Sequence, residues 1–344
     1  MISIIIPTFN RENLLYLALD SFARQEFPID EFEILIIDNG STDNTKQVVE
    51  NAIAVHPHHN ISYIHEPEPG LLSGRHRGAL EAKGDIFTFV DDDIQADLNW
   101  LQAIKDTFSN SSVQLVGGRN LPKYEIEPPE WLEAFWEEHS YGRICSQLSL
   151  LDFGNQLHEI DANYIWGLNF SIRKQALFEL GGFHPDTVPK YLQYFQGDGE
   201  TGLTLKANEL GYKAVYQPKA MVVHNVPKER MTYEYFEKRY FFQGVCNSYT
   251  DIRRTKGKIE KEGLIEKIKK PLKALNKTIT SLLPENTHRH EEIEKLKNRF
   301  YNFFLNGYNY HRTVAYKNPN LLDWICKEDY WDYKLPKFRL KKLD

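Results

Sequence analysis

Residues 86–93 read IFTFVDDD. Five residues suited to a buried strand run straight into three carboxylates, which repel one another and resist burial. One reading of such a strand end is a solvated turn. The other is a hard divalent cation: Mg²⁺ and Mn²⁺ prefer oxygen ligands, take one or two carboxylates, and leave their remaining positions to water and phosphates. The rest of the chain has to decide between the two.

Outward from this stretch lie further short runs rich in β-branched residues: ISIII (2–6), EILIID (33–38), ISYIH (61–65) and VQLVGG (113–118). Helical patterns separate them, namely ENLLYLALDSFARQ (12–25), TKQVVENAI (45–53), LLSGRHRGALEAK (71–83) and NWLQAIKDTF (99–108). Continuous apolar strands alternating with helices predict an α/β fold with a mostly parallel central sheet flanked by helices. Ligands of such sheets sit beyond the carboxyl ends of the strands. Pro7–Asn10, Asp38–Asp43 and Asp91–Asp93 all fall there, so three polar strand ends make one mouth.

From 126 to about 230 the pattern is mixed. It predicts an aromatic helix at PEWLEAFWEEH (129–139), the segments YIWGLNFSIRK (164–174) and QALFELGGF (175–183), a helix at ETGLTLKANELGY (200–212), and a strand pair at KAVYQ and AMVVH. Trp131 and Trp136 are expected in the core. From 231 the chain reads as helical and rich in aromatic and basic residues. The expected organisation is therefore a domain over 1–230, divided into halves 1–125 and 126–230, with a helical C-terminal region over 231–344.

Composition narrows the class. The 344 residues are 41% hydrophobic and 26% charged, ordinary for a soluble globular protein. A net charge of −6 gives no overall pull toward nucleic acid. Cys145, Cys246 and Cys326 are too scattered for a disulfide framework or a zinc site, which suits a reducing compartment. No charged-then-apolar leader follows Met1, and no run of about 18 apolar residues occurs. A cytoplasmic location is the expectation.

The second polar strand end, IIDNGSTD (36–43), places Asp38 after a buried strand and then turn and helix-cap chemistry. Ser41, Thr42 or Asp43 can cap the following helix, which leaves Asp38 free to accept from a ribose hydroxyl or a base N–H. Taken in order, IIIPTFNRENLL, LIIDNGSTDNT and GLLSGRHRGALEAKGDIFTFVDDD resemble the family-two inverting glycosyltransferases of the GT-A fold. WGLNFSIRKQALFELGGF is similar to that family's acceptor-side segment. The resemblance covers roughly residues 1–230 and implies a nucleotide-sugar-binding sheet with Mn²⁺ or Mg²⁺. It implies that Pro7, Thr8, Phe9 and Asn10 line the nucleoside pocket, with Asp38 on the base or ribose and Arg75 beside the donor. Within the Asp-x-Asp motif it implies Asp93 as direct metal ligand, Asp91 toward ribose or metal, and Asp92 toward the donor sugar. Trp166, Gly167 and Asn169 would lie on the acceptor side, although a large aromatic such as Trp166 is as readily core. Arg75 could equally be a surface helix charge.

Such a transfer needs a stabilised leaving group and a deprotonated acceptor hydroxyl. The base belongs at a helix start, where the family usually shows Gly-Glu-Asp-x-[Asp/Glu]-Leu. This chain departs from that pattern with Gly197-Asp198-Gly199-Glu200-Thr201-Gly202-Leu203. Anchoring on Thr201 and Leu203 puts Glu200 at the base position, with Asp198 as the other candidate. His224, ending MVVH, is either a metal ligand near the diphosphate or a hydrogen-bonded histidine at a strand end. The implied partners are a nucleotide-sugar donor, most simply a uridine diphosphate sugar, and a saccharide or lipid-linked acceptor.

Residues 253–277 hold ten Lys or Arg against three Glu, with Leu264, Ile265, Ile268, Leu272 and Leu275 at near-helical spacing. That segment, extended to 283, is either a helix packed with its charged face solvated or a peripheral contact with an anionic inner membrane surface. No nucleic-acid module accompanies the charge. A nucleotidyltransferase is the alternative enzyme class, but PTFNREN lacks the glycine-rich phosphate loop it predicts, and the same lack excludes a dinucleotide-binding oxidoreductase. A catalytically inactive sugar-binding relative is the remaining alternative.

Overall fold

The computed structural model of the chain describes residues 1–259, 287–332 and 334. They fall into two compact units, Met1–Phe236 with Lys327–Asp344, and Glu237–Cys326. In the first unit the strands are β1 Ile2–Thr8, β2 Phe32–Asp38, β3 Ile61–His65, β4 Ile86–Val90, β5 Ile94–Ala96 and β6 Val113–Tyr124. They continue as β7 Glu137–His139, β8 Gly142–Cys145, β9 Leu150–Asp152, β10 His158–Ile160, β11 Asn169–Arg173 and β12 Lys213–Val226. The helices are α1 Leu15–Ala23, α2 Thr45–Val55, α3 Leu71–Glu81, α4 Trp100–Phe108, α5 Lys174–Glu179 and α6 Glu200–Glu209.

The sheet runs β3-β2-β1-β4-β11-β6, with β12 on the far side of β6. β3, β2, β1 and β4 are mutually parallel, whereas β11 runs antiparallel between β4 and β6. Alternation along β1 sends successive isoleucines to opposite faces. Ile2, Ile4 and Ile6 pack with Leu15, Phe22, Val49, Trp100 and Ile104 from α1, α2 and α4. Each such large side chain contributes roughly 1.5–3 kcal/mol by leaving water. The opposite face receives α3, and the spacing of its glycines is the reason it fits. A Cβ on Gly78 would lie 2.3 Å from Ile5 Cγ2, and one on Gly74 would lie 2.9 Å from Pro7 Cβ. These two residues, one turn apart, let the helix backbone settle onto β1 and carry Arg75 against the end of the sheet.

Two expectations change. The stretch 129–139 is a 3₁₀ turn, Glu130–Phe135, followed by strand β7 rather than one helix. Its Trp131 and Phe135 rings pack on Phe236, a constraint that local propensity does not see. KAVYQ and AMVVH are one strand, β12, parallel to β6, with a register shift between Gln217 and Val222. Pro218 in that shift reads as a break between two strands, yet it sits where no ladder hydrogen bond is required.

In the second unit α7 (Tyr233–Arg254, beginning in the first unit) meets α8 (Thr287–Lys317), and α9 (Pro319–Ile325) follows. Gly244 and Gly307 mark a close backbone crossing: a Cβ on either would lie 2.0 or 1.9 Å from a carbonyl oxygen of the other helix. The basic segment expected over 253–283 lies outside the described residues from 260 onward.

Candidate functional site

The parallel register sets Thr8 opposite Asp38 and places the end of β4 beside them. Thr8 Oγ1 donates to Asp92 Oδ2 at 2.7 Å, and Arg11 Nε lies 3.5 Å from the other Asp92 oxygen. Asp92 and Asp93 are buried and Asp91 is half-buried. Burial, and then the charge of Asp93, push the Asp92 carboxyl up to about 7 despite Arg11 and the Thr8 hydroxyl. Asp91 is likewise raised by burial and by Asp93, against Arg75 and His224.

Asp93 is held the other way. Burial opposes its ionisation, but the Arg230 guanidinium beside it keeps the carboxylate below its usual range. Arg230 Nη2 donates to Asp93 Oδ2 at 2.8 Å, and Arg230 Nη1 lies 2.7 Å from His224 Nε2. His224 Nδ1 is 3.0 Å from the Leu148 carbonyl, which can only accept, so the proton sits on Nδ1 and Nε2 accepts from arginine. Nε2 therefore cannot donate to Asp93, and the guanidinium is the group that compensates the carboxylate. The second oxygen, Asp93 Oδ1, is buried, 3.5 Å from His224 Nε2, and has no hydrogen-bond partner among the described residues. Asp93 and His224 thus come together as expected. Among the described residues no three His, Cys, Asp or Glu side chains converge as a complete metal cage.

The second cluster forms around Glu200. Gly199, at φ +57°, turns the chain into α6, and Glu200 is its first residue, where the helix dipole favours a carboxylate. Glu200 Oε2 accepts from Arg75 Nη1 at 3.1 Å and Oε1 from the Gly167 N–H at 3.2 Å. Burial would raise its carboxyl, but Arg75 and these backbone donors bring it below the ordinary value. Arg75 is 3% exposed and lies 4.9 Å over the Phe183 ring, so it is no surface charge. A Cβ on Gly167 would fall 1.9 Å from Arg75 Nη2, so only glycine lets the guanidinium and the 167 amide reach one carboxylate. Asp186 lies alongside, raised by burial and by Glu200. Its Oδ2 sits 2.9 Å from where a side chain at 199 would begin. A glycine preceding Glu200, the departure from the family pattern, thus makes room for the Asp186 carboxylate.

At the nucleoside side Phe9 is 56% exposed at the mouth. Pro7 is buried beneath α3. Asn10, in the left-handed region at φ 53°, donates its N–H to Ser41 Oγ and accepts from the Thr42 N–H, clipping the two strand ends together. Asp38 accepts from the Ser41 N–H at 2.8 Å and from the Tyr63 hydroxyl at 2.6 Å, so each oxygen keeps only part of its capacity for a ligand.

Other expected residues are placed differently. Asn169 is 2% exposed, donates to Asn120 Oδ1 and the Ala220 carbonyl, and accepts from Trp100 Nε1. All of that is core stitching, which corrects its expected place on the acceptor side. Trp166 is half-buried against the hydrophobic core, with Nε1 donating to the Asn163 carbonyl. Asp198 is buried and paired at 2.6 Å with His184 Nδ1, under Gly202 of α6, so the two candidate acids serve separate clusters. Tyr63, Arg230 and Asp186 carried no sequence signal. Each matters through contact with a residue more than a dozen positions away, although Arg230 at six residues after His224 is a spacing to look for.

Comparison with known proteins bears on the family and the fold. The family model described as Glycosyl transferase family 2 matches residues 3–176, just over half of the chain. A glucosyl-dolichyl phosphate glucuronosyltransferase of Haloferax volcanii is 22% identical over 255 residues, 73% of this chain and 77% of the relative. A validoxylamine A glucosyltransferase of Streptomyces hygroscopicus is 25% identical over 203 residues, and the chain spans 47% of its length. Among solved structures, the mannosyltransferase PcManGT of Pyrobaculum calidifontis, in complex with GDP-Man and Mn²⁺, superposes with a TM-score of 0.55 at 18% identity, covering 97% of this chain and 88% of that one. GalNAc-T7 with UDP, GalNAc and Mn²⁺ gives 0.53 at 18% identity, covering 80% of this chain and 54% of that one. The fold is the GT-A fold, and the chain belongs to glycosyl transferase family 2.

Proposed function

We propose that this glycosyltransferase moves a sugar from a nucleotide diphosphate, a uridine diphosphate sugar being the expected donor, to a hydroxyl of a saccharide or lipid-linked acceptor with inversion at the anomeric carbon. The observation that carries this reading is the Glu200 carboxylate, fixed by Arg75 and the Gly167 amide in one electrostatic neighbourhood with Asp91. A single oriented carboxylate suits a single displacement. The acceptor hydroxyl gives its proton to Glu200 as its oxygen bonds the anomeric carbon, and the bond from that carbon to the phosphate oxygen breaks. Arg75 keeps Glu200 ionised at neutral pH, as a base requires. Asp198, its carboxylate already engaged by His184, is left with a structural role.

Asp93 and His224 would hold Mn²⁺ or Mg²⁺, with Asp91 beside them. The buried, unpartnered Asp93 Oδ1 fits this, and a hard cation needs no more than one or two carboxylates from the protein. The bound ion would supply Lewis-acid neutralisation of the diphosphate leaving group. Thr8 and Arg11 set the Asp92 carboxylate toward the donor sugar, Phe9 offers a face to the base, and Asp38 with Tyr63 faces the ribose or base. The name of the Haloferax relative supports a lipid-linked acceptor. No helix among the described residues is long and apolar enough to cross a membrane, so such an acceptor would be met by peripheral contact at the cytoplasmic surface.

The test is a thermal-shift panel of nucleotide diphosphate sugars with and without Mn²⁺, followed by NMR of the product anomer. One donor is expected to raise Tm strongly only with Mn²⁺, and the product to carry inverted configuration. No shift from any nucleotide, or retained configuration, would overturn the reading.

A further inference from the structure

β12 ends at Val226, and a 3₁₀ turn over Lys228–Met231 folds Arg230 back over His224. The result is an uncommon pairing in which a guanidinium is shared between a carboxylate oxygen and the lone pair of a neutral imidazole. Arginine ordinarily seeks two oxygens of one carboxylate. An imidazole lone pair beside a carboxylate is instead what a divalent cation seeks. His224 is locked in that tautomer by the Leu148 carbonyl, and Asp93 is fixed by Asn225, whose backbone N–H and side-chain amide both donate to the Asp93 carbonyl. Both groups are therefore oriented by the protein's own hydrogen bonds.

The imidazole nitrogen has one lone pair, which can face Arg230 or a metal but not both. Asp93, at 2% exposure, has its charge partner in Arg230, 2.8 Å from Oδ2. We propose that Arg230 is a tethered stand-in cation: it occupies the Asp93–His224 pair in the metal-free protein and must leave His224 when the divalent ion binds. This inference rests on the metal-assisted reading above. The arginine balances the Asp93 charge when no ion is bound and sets a ceiling on metal affinity. Arg230 is thus a positioning residue whose effect reads out in ion binding before any chemistry.

The experiment measures Mn²⁺ binding by electron paramagnetic resonance on the full chain, for the wild type, Arg230→Met and Arg230→Lys. Each protein is also followed by Mn²⁺-dependent Tm. Removing a charge-assisted competitor should tighten Mn²⁺ binding about tenfold or more in Arg230→Met. The same variant should be less stable than wild type without metal and gain more Tm from it. Arg230→Lys, which keeps the charge but loses the planar fork of the guanidinium, should lie between and serves alone should the methionine variant not fold. Affinity unchanged or weakened in the folded variants overturns the inference while leaving the metal reading standing. Absence of Mn²⁺ binding in all three proteins overturns both.

Discussion

Glutamine in place of Glu200 probes the proposed base with almost no change of shape. Glu200 offers two acceptor oxygens to two donors, the Arg75 guanidinium at 3.1 Å and the Gly167 amide at 3.2 Å. A glutamine amide has one acceptor and one donor end, so either orientation turns an N–H toward another N–H. One hydrogen bond is lost and Arg75 gives up one ionised partner, while Asp91 and Asp186 still face it. The cost should be about 2 kcal/mol, a Tm decrease of a few degrees. The catalytic loss should be far larger, about 10²- to 10⁴-fold in kcat, because the amide cannot take up the acceptor's proton. Donor-induced Tm shifts should persist. Initial rates at saturating donor, set beside donor titrations of the same preparation, separate the two effects. Transfer within about tenfold of wild type by a folded Glu200→Gln protein would refute the assignment. Loss of donor binding in parallel with rate would mean that Glu200 acts by holding Arg75 rather than as a base.

Acid stability should hinge on His76, whose Nε2 accepts from the Phe183 N–H at 2.9 Å and whose Nδ1 faces the Tyr330 carbonyl at 3.2 Å. Burial lowers this imidazole to about 3 from an ordinary 6.5, so its stabilisation is complete above 6.5 and is lost as pH falls toward 3. The loss approaches about 5 kcal/mol; denaturant titrations should show a shallower acid decline for His76→Gln, and parallel curves would contradict this. Gly202→Ala should destabilise the first unit by roughly 3 kcal/mol, since the new Cβ would fall 1.9 Å from His184 Nδ1 and 2.7 Å from Asp198 Oδ1. Chemical unfolding within about 0.5 kcal/mol of wild type would count against that packing. Phe9→Ala should leave Tm unchanged, because the ring is already 56% exposed, yet weaken nucleotide binding about tenfold by removing a stacking face. Calorimetric titration with the preferred nucleotide diphosphate decides it.

What was legible in the chain follows from what is local. The runs at 2–6, 33–38 and 86–90 declare buried parallel strands because both faces are covered and most positions are apolar. The acidic tip was legible for the converse reason, three charges where burial forbids them. Glu200 was legible only through resemblance, since Asp-Gly-Glu by itself is helix-start chemistry. Asn169 misled because a polar residue near an expected acceptor segment looks available, while its three partners come from three distant segments. Arg230 and Tyr63 were silent because a guanidinium finding an imidazole, or a phenol finding Asp38, is decided by the fold and leaves no local pattern.

The segment from Lys327 belongs to the first unit, although ninety residues of the second intervene. Tyr330 is fully buried there, and the Trp331 ring stacks 4.1 Å from His76, the neighbour in sequence of Arg75. A fragment made by stopping the chain after Phe236 would therefore strip an aromatic cover from the helix that carries Arg75. Stopping the chain after Phe236 is thus not the same as leaving out the second unit, because the return from Lys327 is part of the first.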